Sequence, residues 1–364
     1  MKNIMAVFGT RPEAIKMCPL VKELYSRVGL KVCVCLTGQH DSMLKDVMSA
    51  FDVAADYDLS LLRAGQSLSE LTASILMGVG RVIDLESPDI LLVHGDTATA
   101  FAAALSAFYK KIPVGHIEAG LRTGDMSAPF PEELNRRAIS LVSEYDFAPT
   151  SLARDNLIKE GKSPTRIFVT GNTVIDALRQ TVREDYFSEA LEFAAGCRLV
   201  LLTAHRRESI GKPMRAMFRA IRRVAEEFAD VRIVYPVHKN PAVRRIAEES
   251  FSGCERILLT EPLGVVDFHN IMKRSYIILT DSGGIQEEAP ALQKPILLMR
   301  DTTERPEGVS AGAVRVVGCE EENIYESFKR LLVSESEYAK MTDTKSLYGD
   351  GNASKRIADI IEMI

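Results

Sequence analysis

A chain of 364 residues is longer than one hydrophobic core usually serves, so two domains of roughly 150 to 200 residues with a cleft between them are expected. With 45 basic against 50 acidic residues the formal charge is -5, which excludes a global electrostatic footprint for nucleic acid or an anionic membrane surface, so any anion must be held by a local site. Six cysteines without the spacing of a disulfide scaffold, too short an apolar start for a signal peptide, and no run approaching ~18 apolar residues point to a soluble cytoplasmic protein with reduced thiols.

Along the first half, short β-rich runs at 4–8, 31–36, 90–94, 113–117 and 166–170 alternate with longer helical patterns. The same rhythm restarts at 198–203 and continues through 231–235, 256–260, 276–280, 295–299 and 313–317. Strands separated by helices imply βαβ units on parallel sheets, hence an α/β fold with two doubly wound, Rossmann-like domains. The turn at Gly171 and Asn172 puts the boundary near 171–180, giving domains 1–172 and 173–345, followed by an amphipathic helix in 346–364 that is expected to return to the first domain.

Ligands of open parallel sheets sit beyond the carboxyl ends of the strands, so the turns after each run are where chemistry is sought. After the first run, "FGTRPEAIKM" turns at Gly9 and Thr10 and opens a helix beside Arg11, with Lys16 further along; this is an anion site in outline, or a capped surface helix. The run ending in "HGDT" presents Asp96, either a reactive carboxylate or an N-cap. In "GHIEAG" the alternation puts His116 and Glu118 on one face, a weak metal signal without further histidines, so no metal is expected. "PFPEEL" then starts a helix with Glu132 and Glu133, where the helix dipole alone accounts for one of the two. Asp96, Glu118 and Glu132 together make a general acid and base group.

In the second half, "TAHRRES" gathers His205, Arg206, Arg207 and Glu208 at a strand terminus, and "PVHKNP" adds His238 and Lys239. Met214, Met217, Phe218, Ile221 and Val224 read as helix core. In "LTDSGGIQEE", Ser282, Gly283 and Gly284 let backbone amides approach a phosphate, while Glu288 can accept from two ribose hydroxyls. Arg300 and Arg305 supply further positive charge for a diphosphate. "GVGRVI" at 78–83 lacks the third glycine of a dinucleotide fingerprint and precedes a strand, so no nicotinamide or other cofactor is expected.

These motifs, with "TGQH" and "DTTERPEG", resemble the non-hydrolysing UDP-N-acetylglucosamine 2-epimerases over nearly the whole chain. The resemblance implies the two-domain glycosyltransferase-B type of fold, a homodimer, and interconversion of UDP-N-acetylglucosamine with UDP-N-acetylmannosamine for surface polysaccharide. It implies UDP held by Arg11, His205, Ser282, Gly283, Gly284 and Glu288, with Lys16 and Arg305 near the diphosphate or sugar. Asp96, Glu118 and Glu132 match the acid and base carboxylates, and His205 is counted with them among the catalytic residues. A second substrate site of some relatives would map to Gln39, His40, Arg206 and His238, but Met43 and Gly65 replace polar residues found there and weigh against activation. Rival readings are a hydrolysing epimerase, a glycosyltransferase of the same fold, and a nucleotide-sugar sensor without turnover.

Overall fold

The protein is described by a computed structural model covering residues 1–38, 42–63, 65–127, 129–344 and 347–364. It divides into two units, one formed by Met1–Gln180 with Tyr348–Ile364 and the other by Thr181–Leu347. The division falls at the last residue of the helix Thr173–Thr181 rather than before it; the helix buries Val174, Ile175, Ala177 and Leu178 and bonds to the C-terminal segment of the first unit.

In the first unit the strands are β1 (Lys2–Phe8), β2 (Leu30–Leu36), β3 (Tyr57–Asp58), β4 (Ile90–His94), β5 (Val114–Ile117), β6 (Tyr145–Ala148) and β7 (Ile167–Val169). They pair in parallel in the order β3-β2-β1-β4-β5-β6-β7, with Ile4 opposite both Val32 and Ile90. Strands β3 and β6 escaped the sequence reading. The first has two residues, and the second carries Asp146 in an otherwise apolar run. Asp146 is wholly buried because Ser143 Oγ donates to it at 2.7 Å and Lys162 Nζ lies 3.0 Å away.

The second unit has β8 (Arg198–Thr203), β9 (Val231–Pro236), β10 (Ile257–Thr260), β11 (Ile277–Thr280), β12 (Ile296–Leu298) and β13 (Val314–Val316), all parallel, in the order β10-β9-β8-β11-β12-β13. Its helix Lys212–Glu227 buries Met214, Met217, Phe218, Ile221 and Val224 completely, the apolar stripe that the 3.6-residue period predicts. In each sheet the chain first winds outward one way and then the other, so the order reverses between β1 and β4 and between β8 and β11. Those reversals open crevices at the carboxyl ends of the reversing strands.

The first unit closes on residues distant in sequence. Gly171 (φ 88°) and Gly349 (φ 120°) lie back to back, where a Cβ on either would come within 3.2 and 3.1 Å of the other's Cα. The helix Ala353–Met363 has no side-chain cap of its own; instead Asp176 accepts from Ala353 N at 3.2 Å and Ser354 N at 2.8 Å. Burial pushes the Asp176 carboxyl above its usual range, and these bonds pull it back.

Losing a cap typically costs about 1 kcal/mol and up to about 2, so Asp176→Ala is expected to lower stability by that order, with Asp176→Asn closer to the parent. Urea unfolding followed by circular dichroism checks this, and an unchanged midpoint for the alanine variant would remove the capping role.

Candidate active site

In the first unit the turns after β1 and β4 are sewn together by one carboxylate. Thr10 caps the helix Arg11–Tyr25, and Glu13 on its first turn accepts from Gly9 N at 3.0 Å, Thr10 N at 2.8 Å and Thr97 Oγ1 at 2.6 Å. Burial raises the Glu13 carboxyl above its ordinary value, against the pull of these bonds. Thr97, not Asp96, is the N-cap of the helix Ala98–Tyr109, which leaves the Asp96 side chain for other partners. Arg11 stands half-buried at the first position of its helix.

Lys16 is buried and forms an ion pair with Glu118, which also accepts from Asn172 Nδ2 at 2.7 Å. Glu118 follows β5 in a left-handed conformation (φ 63°), and this breaks the alternation expected from the sequence. His116 is wholly buried and bonded to Gly95 O at 2.7 Å, with burial pushing its pKa down to about 4. His94, not singled out in the sequence, lies with Nε2 3.8 Å from Glu118 Oε2, and burial lowers its pKa to about 3, so it is neutral at physiological pH.

The helix Glu132–Val142 binds the Asp96 turn twice, through an Arg136 ion pair to the carboxylate and through Asn135 Nδ2 to Asp96 O at 2.8 Å. Arg136 Nη1 also lies 3.3 Å from Glu133. Glu133, fully buried, accepts from Thr123 N at 3.0 Å and Gly124 N at 3.3 Å and so holds the loop after β5. Of the adjacent pair, Glu133 is therefore the scaffold. Glu132 Oε2 is a buried acceptor with no hydrogen-bond partner among the described residues.

In the second unit the turns after β8 and β11 meet at Asp281, another residue the sequence reading left out. Its Oδ2 accepts from His205 N at 2.8 Å and Arg206 N at 2.9 Å, and its Oδ1 lies 3.0 Å from His205 Nδ1. The available signal was an aspartate directly at the carboxyl end of a central strand. The His205 and His238 rings lie 5.5 Å apart, and burial lowers the His238 pKa. Gln39 and His40 lie outside the described residues.

The Ser282-Gly283-Gly284 turn follows, and among the described residues the Gly283 and Gly284 amides donate no hydrogen bond. A Cβ at 283 would meet Glu304 Oε1 at 2.6 Å and Arg305 Nη1 at 3.0 Å, so a side chain there would have to displace those two charged ends. Arg305 is buried, donating from Nη1 to Glu304 at 2.7 Å and from Nε to Glu287. Read from sequence as charge for a diphosphate, this guanidinium thus also braces the turn. Glu288 is buried one helical turn on, with His269 Nε2 3.6 Å away. The arrangement offers amides and a supported cation in one unit, and in the other two carboxylates, Glu118 and Asp96, paired with Lys16 and Arg136.

Burial alone would raise the Glu304 carboxyl, but Arg305 and Arg300 hold it at about 2. A folded-state value below the ordinary 4.5 contributes stability above about pH 4.5 that is lost as the pH falls toward about 2. Glu304→Gln should therefore flatten the acid limb of the stability curve in that window, as measured by urea midpoints at a series of pH values.

The family described as UDP-N-acetylglucosamine 2-epimerase matches residues 22–362. A Bacillus subtilis (strain 168) protein named UDP-N-acetylglucosamine 2-epimerase is 53% identical over 357 residues, 98% of this chain and 94% of that protein. Among solved structures, the UDP-GlcNAc 2-epimerase from Neisseria meningitidis bound to UDP-GlcNAc is 44% identical with a TM-score of 0.94 and full coverage of both chains. The S. aureus MnaA-UDP co-structure is 48% identical with a TM-score of 0.95, covering 100% of this chain and 96% of that one. With a sequence match across almost its entire length and the same fold, the chain belongs to the UDP-N-acetylglucosamine 2-epimerase family.

Proposed function

We propose that the protein interconverts UDP-N-acetylglucosamine and UDP-N-acetylmannosamine, with the sugar attached to UDP in both. The observation that carries this reading is the gathering of Asp96 and Glu118 with buried counter-cations at the carboxyl end of one sheet, with Glu132 opening the helix that also binds Asp96. The C2 hydrogen of the sugar is not adjacent to a carbonyl, so a carboxylate can remove it only if negative charge leaves elsewhere. Expulsion of UDP from C1 provides that exit. One carboxylate takes the C2 proton, the C1–O bond to UDP breaks, and a C1=C2 double bond forms, giving 2-acetamidoglucal. A proton is then delivered to the other face of C2 while a β-phosphate oxygen of UDP attacks C1.

In this reading Ser282, Gly283, Gly284, Arg11 and Arg305 hold the diphosphate, Glu288 the ribose, and Lys16 and His205 the reacting end. Electrons and protons balance without redox chemistry, so no cofactor enters. The reading includes a cytoplasmic homodimer that supplies N-acetylmannosamine for surface polysaccharide. No helix among the described residues is long and apolar enough to cross a membrane.

Incubation with UDP-N-acetylglucosamine in deuterated water is expected to yield both UDP-sugars, each with deuterium at C2. Full retention of the C2 hydrogen would sink the elimination route, and free N-acetylmannosamine as the product would favour hydrolysis instead.

Asp96→Asn, Glu118→Gln and Glu132→Gln each keep shape and remove charge, and each should slow epimerisation by roughly 10² to 10⁴-fold, the usual contribution of a placed acid or base. Chromatography of overnight reactions should find UDP and 2-acetamidoglucal accumulating in the variant that cannot reprotonate. Near-normal turnover in all three would overturn the assignment.

A further inference from the structure

We propose that Asp281 is a positioning residue that fixes the tautomer of His205 and so decides which ring nitrogen meets the substrate. The inference rests on the proposed role of His205 at the reacting end. Asp281 is fully buried directly after β11, at the point where the strand order reverses against β8. One of its oxygens is committed to the amides of His205 and Arg206, at 2.8 and 2.9 Å, and the other faces His205 Nδ1 at 3.0 Å. An ionised carboxylate has no hydrogen to give, so Nδ1 carries the hydrogen of the bond. The lone pair of the neutral ring is then on Nε2, the nitrogen left for a hydroxyl or a proton in transit.

The neighbouring ring is set the other way. Asn240 N donates to His238 Nδ1 at 3.1 Å, which leaves the hydrogen of the neutral His238 ring on Nε2. Two imidazoles with centroids 5.5 Å apart thus carry opposite tautomers, one an acceptor and one a donor at Nε2. A nucleotide-sugar, with hydroxyl donors and phosphate acceptors, can use both. The aspartate also anchors two turns through backbone amides, so a purely structural role must be separable from control of the tautomer.

Asp281→Asn separates them. Its single carbonyl oxygen can keep the two backbone amides, which turns the NH₂ group toward His205 Nδ1 and drives the ring hydrogen to Nε2. The test is ¹⁵N NMR of the full-length protein with labelled histidine, the His205 signals being assigned by their loss in His205→Gln. The expected result is an Nδ1–H tautomer in the parent and an Nε2–H tautomer in Asp281→Asn. Turnover of UDP-N-acetylglucosamine should fall by about 10²-fold or more, within the range for a positioned acid or base, while the thermal melt stays near the parent's.

Parent-like turnover in Asp281→Asn, or lost turnover with an unchanged tautomer, would overturn the proposal. So would an Nε2–H tautomer in the parent, a measurement that needs no variant to fold. A parent protein that holds the Nδ1–H tautomer yet never epimerises would refute the proposed function while leaving the Asp281–His205 assignment standing.

Discussion

Parallel pairing sends every strand of a sheet the same way, and the placement of the candidate site residues follows from that constraint. Each strand must be followed by a crossover, and where the strand order reverses two neighbouring crossovers part and leave a crevice. In the first unit the turns at Gly9 to Arg11 and Gly95 to Thr97 flank such a crevice, and in the second the turns at Ala204 to Arg206 and Asp281 to Gly284 do so. Turns of this kind carry amides that no strand partner satisfies. Carboxylates meet several of them, those of Gly9, Thr10, His205 and Arg206.

Acidic residues consequently divide into two sorts. Glu13, Glu133 and Asp281 are buried and accept from backbone amides, so they hold loops in register. Glu118 and Asp96 face Lys16 and Arg136, side-chain cations. A carboxylate taken out of water without partners costs several kcal/mol, so the scaffold acids are fully bonded. Glu132 belongs to neither sort, since it keeps a buried oxygen without a partner among the described residues.

Much of this was legible in the sequence, because strand and helix periods differ and because turn residues mark the ends of runs. The α/β class, eleven of the strands and the turns bearing the candidate residues all follow from that. What escaped depended on side-chain pairing across elements, which spacing along the chain does not encode. Nothing in "PEEL" says that Glu133 reaches back to Thr123 and Gly124 while Glu132 does not. Likewise Arg305 reads as free charge until Glu287 and Glu304 are seen beside it. Asp146 concealed β6 because a charge in a short run counts against a strand unless its buried partners are known.

The first unit is interrupted in sequence, since the second unit, Thr181–Leu347, is inserted ahead of Tyr348–Ile364. During synthesis the first sheet is made early, yet the Gly349 backbone that packs on Gly171 and the helix that Asp176 caps arrive only after the whole second unit. Until then the helix Arg11–Tyr25 lacks the C-terminal helix that packs against it, and Asp176 lacks the amides it serves. The contiguous second unit can complete its core on the ribosome, whereas the first must wait for Tyr348–Ile364, so a nascent chain acquires the Ser282-Gly283-Gly284 turn before the fold that carries Asp96 and Glu118 is finished.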